Sequence, residues 1–181
     1  MAEKKDYLFK FDTDREINDI AGVLRLDPKV IAAVSARGRD ALIVGGLVIV
    51  LSGLANFLGS MFFGSGLVGI VAHLTIAVIG VLGFLFFVIL LHYIAEKLMG
   101  GKAPILSFAK PMAYAFAVTW VNLIYFLQFF STIWFFIITF TILKTVHQLD
   151  TGRAVVSIIL ALLALGVITV FLGVGTLSEG L

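Results

Sequence analysis

Residues 112–147 read MAYAFAVTWVNLIYFLQFFSTIWFFIITFTILKTVH, and their one charge, Lys144, stands near the end. As a single helix the stretch would be about 54 Å long at about 1.5 Å per residue. The hydrocarbon core of a bilayer is about 30 Å thick and takes about 20 apolar residues to cross. The stretch must therefore double back, and the polar residues at Gln128–Thr132 mark the turn. Two short spans, 112–128 and 131–147, are the first reading, and a re-entrant hairpin is the alternative. Backbone amides left open in lipid are costly, so the spans are helices. The alternation of an outer-membrane barrel strand is absent.

Working outward, three more apolar stretches have spanning length: residues 41–63, 67–95 and 154–173. Gly64-Ser65-Gly66 separates the first two. The second is longer than needed and is expected to tilt. Glu96–Lys110, with Gly100, Gly101 and Pro104, reads as a polar loop. The expected fold is all-α: a polytopic bundle of five transmembrane helices over residues 41–181, preceded by a cytoplasmic amphipathic arm over residues 1–40.

Composition points the same way. The 181 residues are 61% apolar and only 13% charged, with a mean hydropathy of +1.13. Soluble domains average about 45–50% apolar and about 25% charged. Sixteen of the 24 Lys, Arg, Asp and Glu residues lie in residues 1–40, eight basic and eight acidic. This balance gives no polybasic tail, so no nucleic-acid partner is expected. There is no cysteine, which rules out disulfides and thiolate metal sites. No signal peptide or lipidation motif is expected.

Orientation follows from the basic residues of the short loops. Arg37 and Arg39 precede the first span. Lys97, Lys102 and Lys110 fall between the second and third. Lys144 and Arg153 bracket the connection from fourth to fifth. The opposite side carries no Lys or Arg, which puts the N-terminus and these seven anchors in the cytoplasm. The membrane expected is a prokaryotic cytoplasmic one.

The arm reads as two short helices. Thr13-Asp14-Arg15-Glu16 has capping-box spacing, followed by Ile17, Ile20, Ala21 and Leu24 at helical intervals. Asp27-Pro28 looks like an N-cap and first-turn proline, with Val30, Ile31 and Val34 forming an apolar face. Gly38 is placed to end that helix. Both helices are expected on the membrane surface or against the cytoplasmic loops.

The remaining motifs are mostly structural. Gly64-Ser65-Gly66-Leu67-Val68-Gly69 matches G-x-G-x-x-G, but no strand precedes it. Gly100-Gly101-Lys102 lacks the other residues of a P-loop. His73 and His92 lie about 28 Å apart on one helix and cannot share an ion. His92 and His147 share the cytoplasmic end and can meet, but two histidines without a carboxylate make a poor metal site. No metal, cofactor or catalytic set is assigned, and no enzymatic activity is expected. No span contains Asp or Glu, which disfavours coupled transport. His73 and Asn122 are the intramembrane polar residues, with Asn56. The first span carries a small and polar stripe, Gly46, Ser52, Gly53, Asn56, Gly59 and Ser60, which reads as a helix-packing surface. Trp120, Tyr125 and Trp134 fit an outer aromatic belt.

An ordered set of motifs gives the chain a family likeness. Leu26-Asp27-Pro28 leads a short helix into the first span. Leu98-Met99-Gly100-Gly101-Lys102 through Ser107-Phe108 precedes Ala113-Tyr114-Ala115. Thr145-Val146-His147-Gln148-Leu149-Asp150-Thr151-Gly152-Arg153-Ala154 leads into the last span. Over residues 26–173 the chain resembles the Yip family of Ypt/Rab-interacting membrane proteins, in its prokaryotic branch. The resemblance implies five spans and a cytoplasmic N-terminus. Eukaryotic members are linked to Rab-type GTPases and vesicle traffic. Their Asp-Leu-Tyr-Gly-Pro motif is replaced here by Arg39-Asp40-Ala41-Leu42, so GTPase binding is carried onto no residue.

The function expected is an integral membrane scaffold or adaptor in membrane organisation or trafficking. Its partners would be the lipid bilayer, a second copy or other membrane proteins, and a cytoplasmic protein. A small oligomeric transporter, channel or lipid-handling protein is the alternative.

Overall fold

The structure is a computed structural model that describes residues 12–63 and 69–178. The expected break at Gly64-Ser65-Gly66 and the start of the second span at Leu67 lie outside the described residues. The described chain is helical, with no strand among its residues. The arm forms α1 (Thr13–Leu24) and α2 (Pro28–Ala36). The bundle comprises α3 (Arg39–Phe63), α4 (Ile70–Tyr93), α5 (Ile105–Ala115), α6 (Gln128–Val146) and α7 (Thr151–Ser178). A π-helical turn, Ile94–Leu98, prolongs α4, and a 3₁₀ segment, Phe116–Leu123, prolongs α5.

Among the described residues, four helices are long and apolar enough to cross a membrane: Arg39–Phe62, Ile70–Leu98, Gln128–Val146 and Thr151–Ile168. The segment between the second and third differs from the sequence reading. It begins at Ile105 rather than Met112, because Pro104 starts a helix that carries Lys110 and Pro111 inside it. Only residues 99–104 of the expected polar loop are non-helical. Lys110 is tolerated there because it is buried against a specific acceptor, the Arg37 carbonyl. The turn also falls earlier than Gln128–Thr132. Ile124 has an extended backbone and Gln128 already opens α6.

The 3₁₀ segment is the packed centre of the bundle. Phe116 stacks on Phe84 of α4 with ring centroids 3.9 Å apart, and Phe135 of α6 meets both rings edge-on. Such aromatic pairs add about 0.5–1.5 kcal/mol each beyond the area they bury. Close backbone approach needs a glycine where α3 crosses this segment. A Cβ on Gly59 would fall well inside contact distance of the Asn122 carbonyl.

The arm shares this core instead of forming a separate layer. Val23, Ile31 and Val34 are fully buried in the same cluster as Leu91, Met112 and Ile142. Each such side chain contributes roughly 1.5–3 kcal/mol. α1 and α2 pack tightly on each other, since a Cβ on Gly22 would lie 2.7 Å from Val30 Cγ1. The N-cap of α1 is Asp12, whose carboxylate accepts from the Arg15 amide. The capping box at Thr13–Glu16 is therefore displaced by one residue, and Glu16 is freed for another role. Asp27 caps α2 as the sequence indicates, accepting from the amides of Lys29 and Val30. α1 ends in a Schellman turn: Leu26, at φ 64°, donates to the Val23 carbonyl, and Asp27 donates to the Gly22 carbonyl.

Candidate functional site

Where the arm meets α3 and α5, six charged groups converge. Arg37, the residue capping α2, points both guanidinium arms at Glu16: Nη2 lies 2.5 Å from Oε1 and Nη1 3.0 Å from Oε2. Nη1 also donates to Asp19 at 2.6 Å, and Nη2 to Asp40 at 2.7 Å. Arg15 donates to Glu16 at 2.9 Å and to Asp40 at 3.3 Å. Tyr114 of α5 donates its hydroxyl to Glu16 Oε2 at 2.5 Å. Lys110 donates to the Arg37 main-chain carbonyl. Arg15, Arg37 and Lys110 balance Glu16, Asp19 and Asp40 in formal charge.

Glu16 is 3% exposed and Tyr114 is fully buried, so the bidentate Arg–carboxylate pair works in a partly dry setting, where it is stronger. Burial alone pushes the Glu16 carboxyl up. The hydrogen bonds from Arg37, Tyr114 and Arg15 together outweigh that and hold it below the usual range. At Asp19 the balance tips the other way, and burial raises it despite Arg37. Arg37 is held protonated above its ordinary value, chiefly by its bond to Glu16.

This geometry changes the role of two sequence-predicted anchors. Arg37 and Lys110 are internal ties. Arg39 and Lys102 remain exposed. Lys97 pairs with Glu96 at 2.9 Å. Lys144 donates to Thr151 at 3.1 Å and lies over the Phe140 ring. Arg153 pairs with Asp150 and donates to the Met99 carbonyl. The sequence offers Glu16 only as a capping-box residue and Tyr114 and Asp40 only within the motifs compared with the family, and it gives Asp19 no part. The one further signal is that Glu16 is an acid on the apolar side of an otherwise amphipathic helix.

The α3 stripe divides among three environments. Ser52 donates to the Phe116 carbonyl at 3.1 Å and accepts from the Trp120 indole at 3.0 Å. Asn56 accepts from Asn122 at 2.8 Å, and Asn122 accepts from Ser131 of α6 at 2.6 Å. Gly59 meets the backbone at Asn122, as above. Gly53 faces Val81 of α4, Gly46 faces open space, and Ser60 bonds its own helix at Phe57. Most of the stripe thus packs within the chain. His73 is buried outside this set, and its Nδ1 has no partner among the described residues.

The expected meeting of His92 and His147 is present. His92 Nδ1 lies 3.3 Å from His147 Nε2, and His92 Nε2 lies 3.1 Å from Glu96. A carboxylate on Nε2 leaves Nδ1 of neutral His92 as acceptor, so His147 donates through Nε2. Its own Nδ1 is then a bare lone pair facing Gly101, where a Cβ would intrude to 2.5 Å. Burial, and then the neighbouring His92, push His147 down to about 4. Among the described residues no group of three His, Cys, Asp or Glu is arranged to hold a metal.

The apolar helices, the buried polar ties and the grooves between helices, lined by Val50, Leu54, Leu74 and Leu82 or by Phe136, Phe140, Val155 and Ile159, define a multi-pass integral membrane protein. Residues 26–173 match the Yip1 domain, and the chain belongs to that family. No curated protein and no solved structure matches it.

Proposed function

We propose that this protein is a membrane scaffold of the Yip type. It crosses the bilayer five times, has its N-terminus in the cytoplasm, and presents the docked arm with the 99–104 and 147–150 loops as one rigid adaptor surface. The span beyond those four long helices, third in chain order, is α5 with its 3₁₀ extension. Eleven α-helical and eight 3₁₀ residues rise roughly 32 Å together, enough to cross the hydrocarbon.

One observation carries the reading. The Glu16–Arg37–Tyr114 tie and the shared core fix the arm to α5. A prokaryotic cytoplasmic membrane is the setting, and no catalytic step is assigned. Apart from His73, the polar residues singled out at membrane depth bond one another: Asn56 to Asn122, Asn122 to Ser131, Trp120 to Ser52. They are therefore spent on packing, which disfavours a conducting path.

The test is photocrosslinking from Lys102 and Arg39 positions in native membranes, alongside flux and lipid-scrambling assays of pure protein in liposomes. The scaffold reading expects specific protein adducts and liposomes that stay tight. Flux or scrambling that disappears on Asn56→Leu would establish the transporter reading instead.

A further inference from the structure

The arm does not hang beneath the bundle; it climbs alongside it. Glu16 meets Tyr114 near the start of α1. At the other end of α1, the Leu24 carbonyl accepts from Trp134 Nε1 at 2.9 Å. Trp134 lies twelve residues before Val146, the end of α6, which is about 18 Å up that helix. The turn between α1 and α2 therefore sits about two-thirds of the way up α6, beside a tryptophan that the sequence assigned to an outer belt.

That turn is charged. Arg25 and Lys29 are exposed, and neither side chain has an ionic partner among the described residues. The one acid present, Asp27, is engaged by the amides of Lys29 and Val30. A lone cation at mid-membrane costs about 2.5–3.5 kcal/mol on insertion scales, so two leave a large penalty unless polar groups come to them. On the adjacent α6–α7 face the surface stays apolar down to Phe140 and Val155. The hydrophobic belt is thus lopsided, full height on one side and cut away beside the arm.

We propose that the Arg25–Lys29 turn docks the phosphates of anionic phospholipids, drawing the cytoplasmic leaflet's headgroups in to the level of Trp134. Arginine grips a phosphate through paired N–H groups and lysine as a point charge. Trp134, 41% exposed and with its N–H already bonded, offers a flat apolar ring to the upper acyl chain. This rests on the five-span reading, and the experiment separates the two.

Trp120→Phe leaves Trp134 as the sole tryptophan of the chain. In vesicles of phosphatidylcholine with phosphatidylglycerol, a lipid nitroxide-labelled at the headgroup is expected to quench it severalfold more than lipid brominated near the chain end. Arg25→Gln with Lys29→Gln should abolish that preference. Stronger quenching by the deep bromines in the parent protein overturns the proposal. So does headgroup quenching that is unchanged when phosphatidylglycerol is omitted, which would mean that zwitterionic headgroups reach the turn equally and no anionic lipid is selected. A spin label at Ala33→Cys in otherwise unaltered protein guards against misfolding of the tryptophan variant. It should favour an aqueous nickel relaxant over oxygen, and the reverse overturns the proposal. Labelling of Lys102→Cys from the cytoplasmic side alone checks the topology independently, so its failure indicts the five-span reading instead.

Discussion

Replacing Glu16 with glutamine keeps the shape of the central acceptor and removes its charge. The carboxylate accepts from both Nη atoms of Arg37, from Arg15 and from Tyr114, at 2.5–3.3 Å. Hydrogen bonds to a charged group contribute about 1.5–3 kcal/mol each and do not add. Breaking one partner of a buried ion pair costs about 3–5 kcal/mol. Arg37 is 15% exposed and keeps Asp19 and Asp40, so the lower end, about 3 kcal/mol, is expected. Val23, Ile31 and Val34 stay buried, so the arm remains docked but opens more often. At about 1.4 kcal/mol per factor of ten, exchange of the α1 amides should accelerate about 100-fold, while α4 amides change little. Hydrogen exchange with mass spectrometry in lipid nanodiscs reads both peptides at once. Unchanged α1 exchange in Glu16→Gln, or equal acceleration of α4, would refute the idea that this cluster specifically holds the arm.

Acid should loosen the histidine contact. His147 falls from an ordinary 6.5 to about 4 in the folded protein, so the unfolded chain takes up a proton first, and stability is lost as pH falls from about 6.5 towards 4. The full effect is roughly 3 kcal/mol at about 1.4 per pKa unit, set against His92 and Glu96, which face it. Thermal unfolding in detergent should show this pH slope, and His147→Phe should flatten it. Glu16, held low, contributes stability that is complete above its ordinary 4.5 and disappears below. Asp19, held high, opposes it in that window, and Glu16→Gln should shrink the acid loss of arm protection. Three glycines should grade by clearance: Gly59→Ala severely destabilising because backbone must move, Gly53→Ala mild against the Val81 side chain, Gly46→Ala favourable by about 0.5–1 kcal/mol. Asn122→Leu strands Asn56 and Ser131 and should cost about 1–2 kcal/mol, with Asn122→Asp no substitute; unfolding midpoints decide both series.

The four long spans were legible because hydropathy is a local property summed over twenty residues. The third segment was harder, since Lys110-Pro111 looks like a loop until its acceptor is known, and that acceptor is 73 residues away in sequence. The same distance problem hid the ionic cluster. Glu16 has perfect credentials as a local capping residue, and only Arg37 and Tyr114 reveal its use. His92 and His147 could be paired in advance because charge-based orientation put both at one end of the bundle. Nothing local in the arm indicates that its turn reaches Trp134, because that contact depends on how α1 and α2 lie against α5 and α6.

The tightly wound stretch at Phe116–Leu123 also stores length. A 3₁₀ coil gains about 2.0 Å per residue against about 1.5 Å for an α-helix. Relaxing its eight residues to the commoner winding would retract the outer end by about 4 Å and swivel it by roughly 160°. Asn122 would swing away from Asn56 in the process. The side-chain amide pair thus marks one winding of the segment, whose reach is set by how many residues cover a fixed thickness.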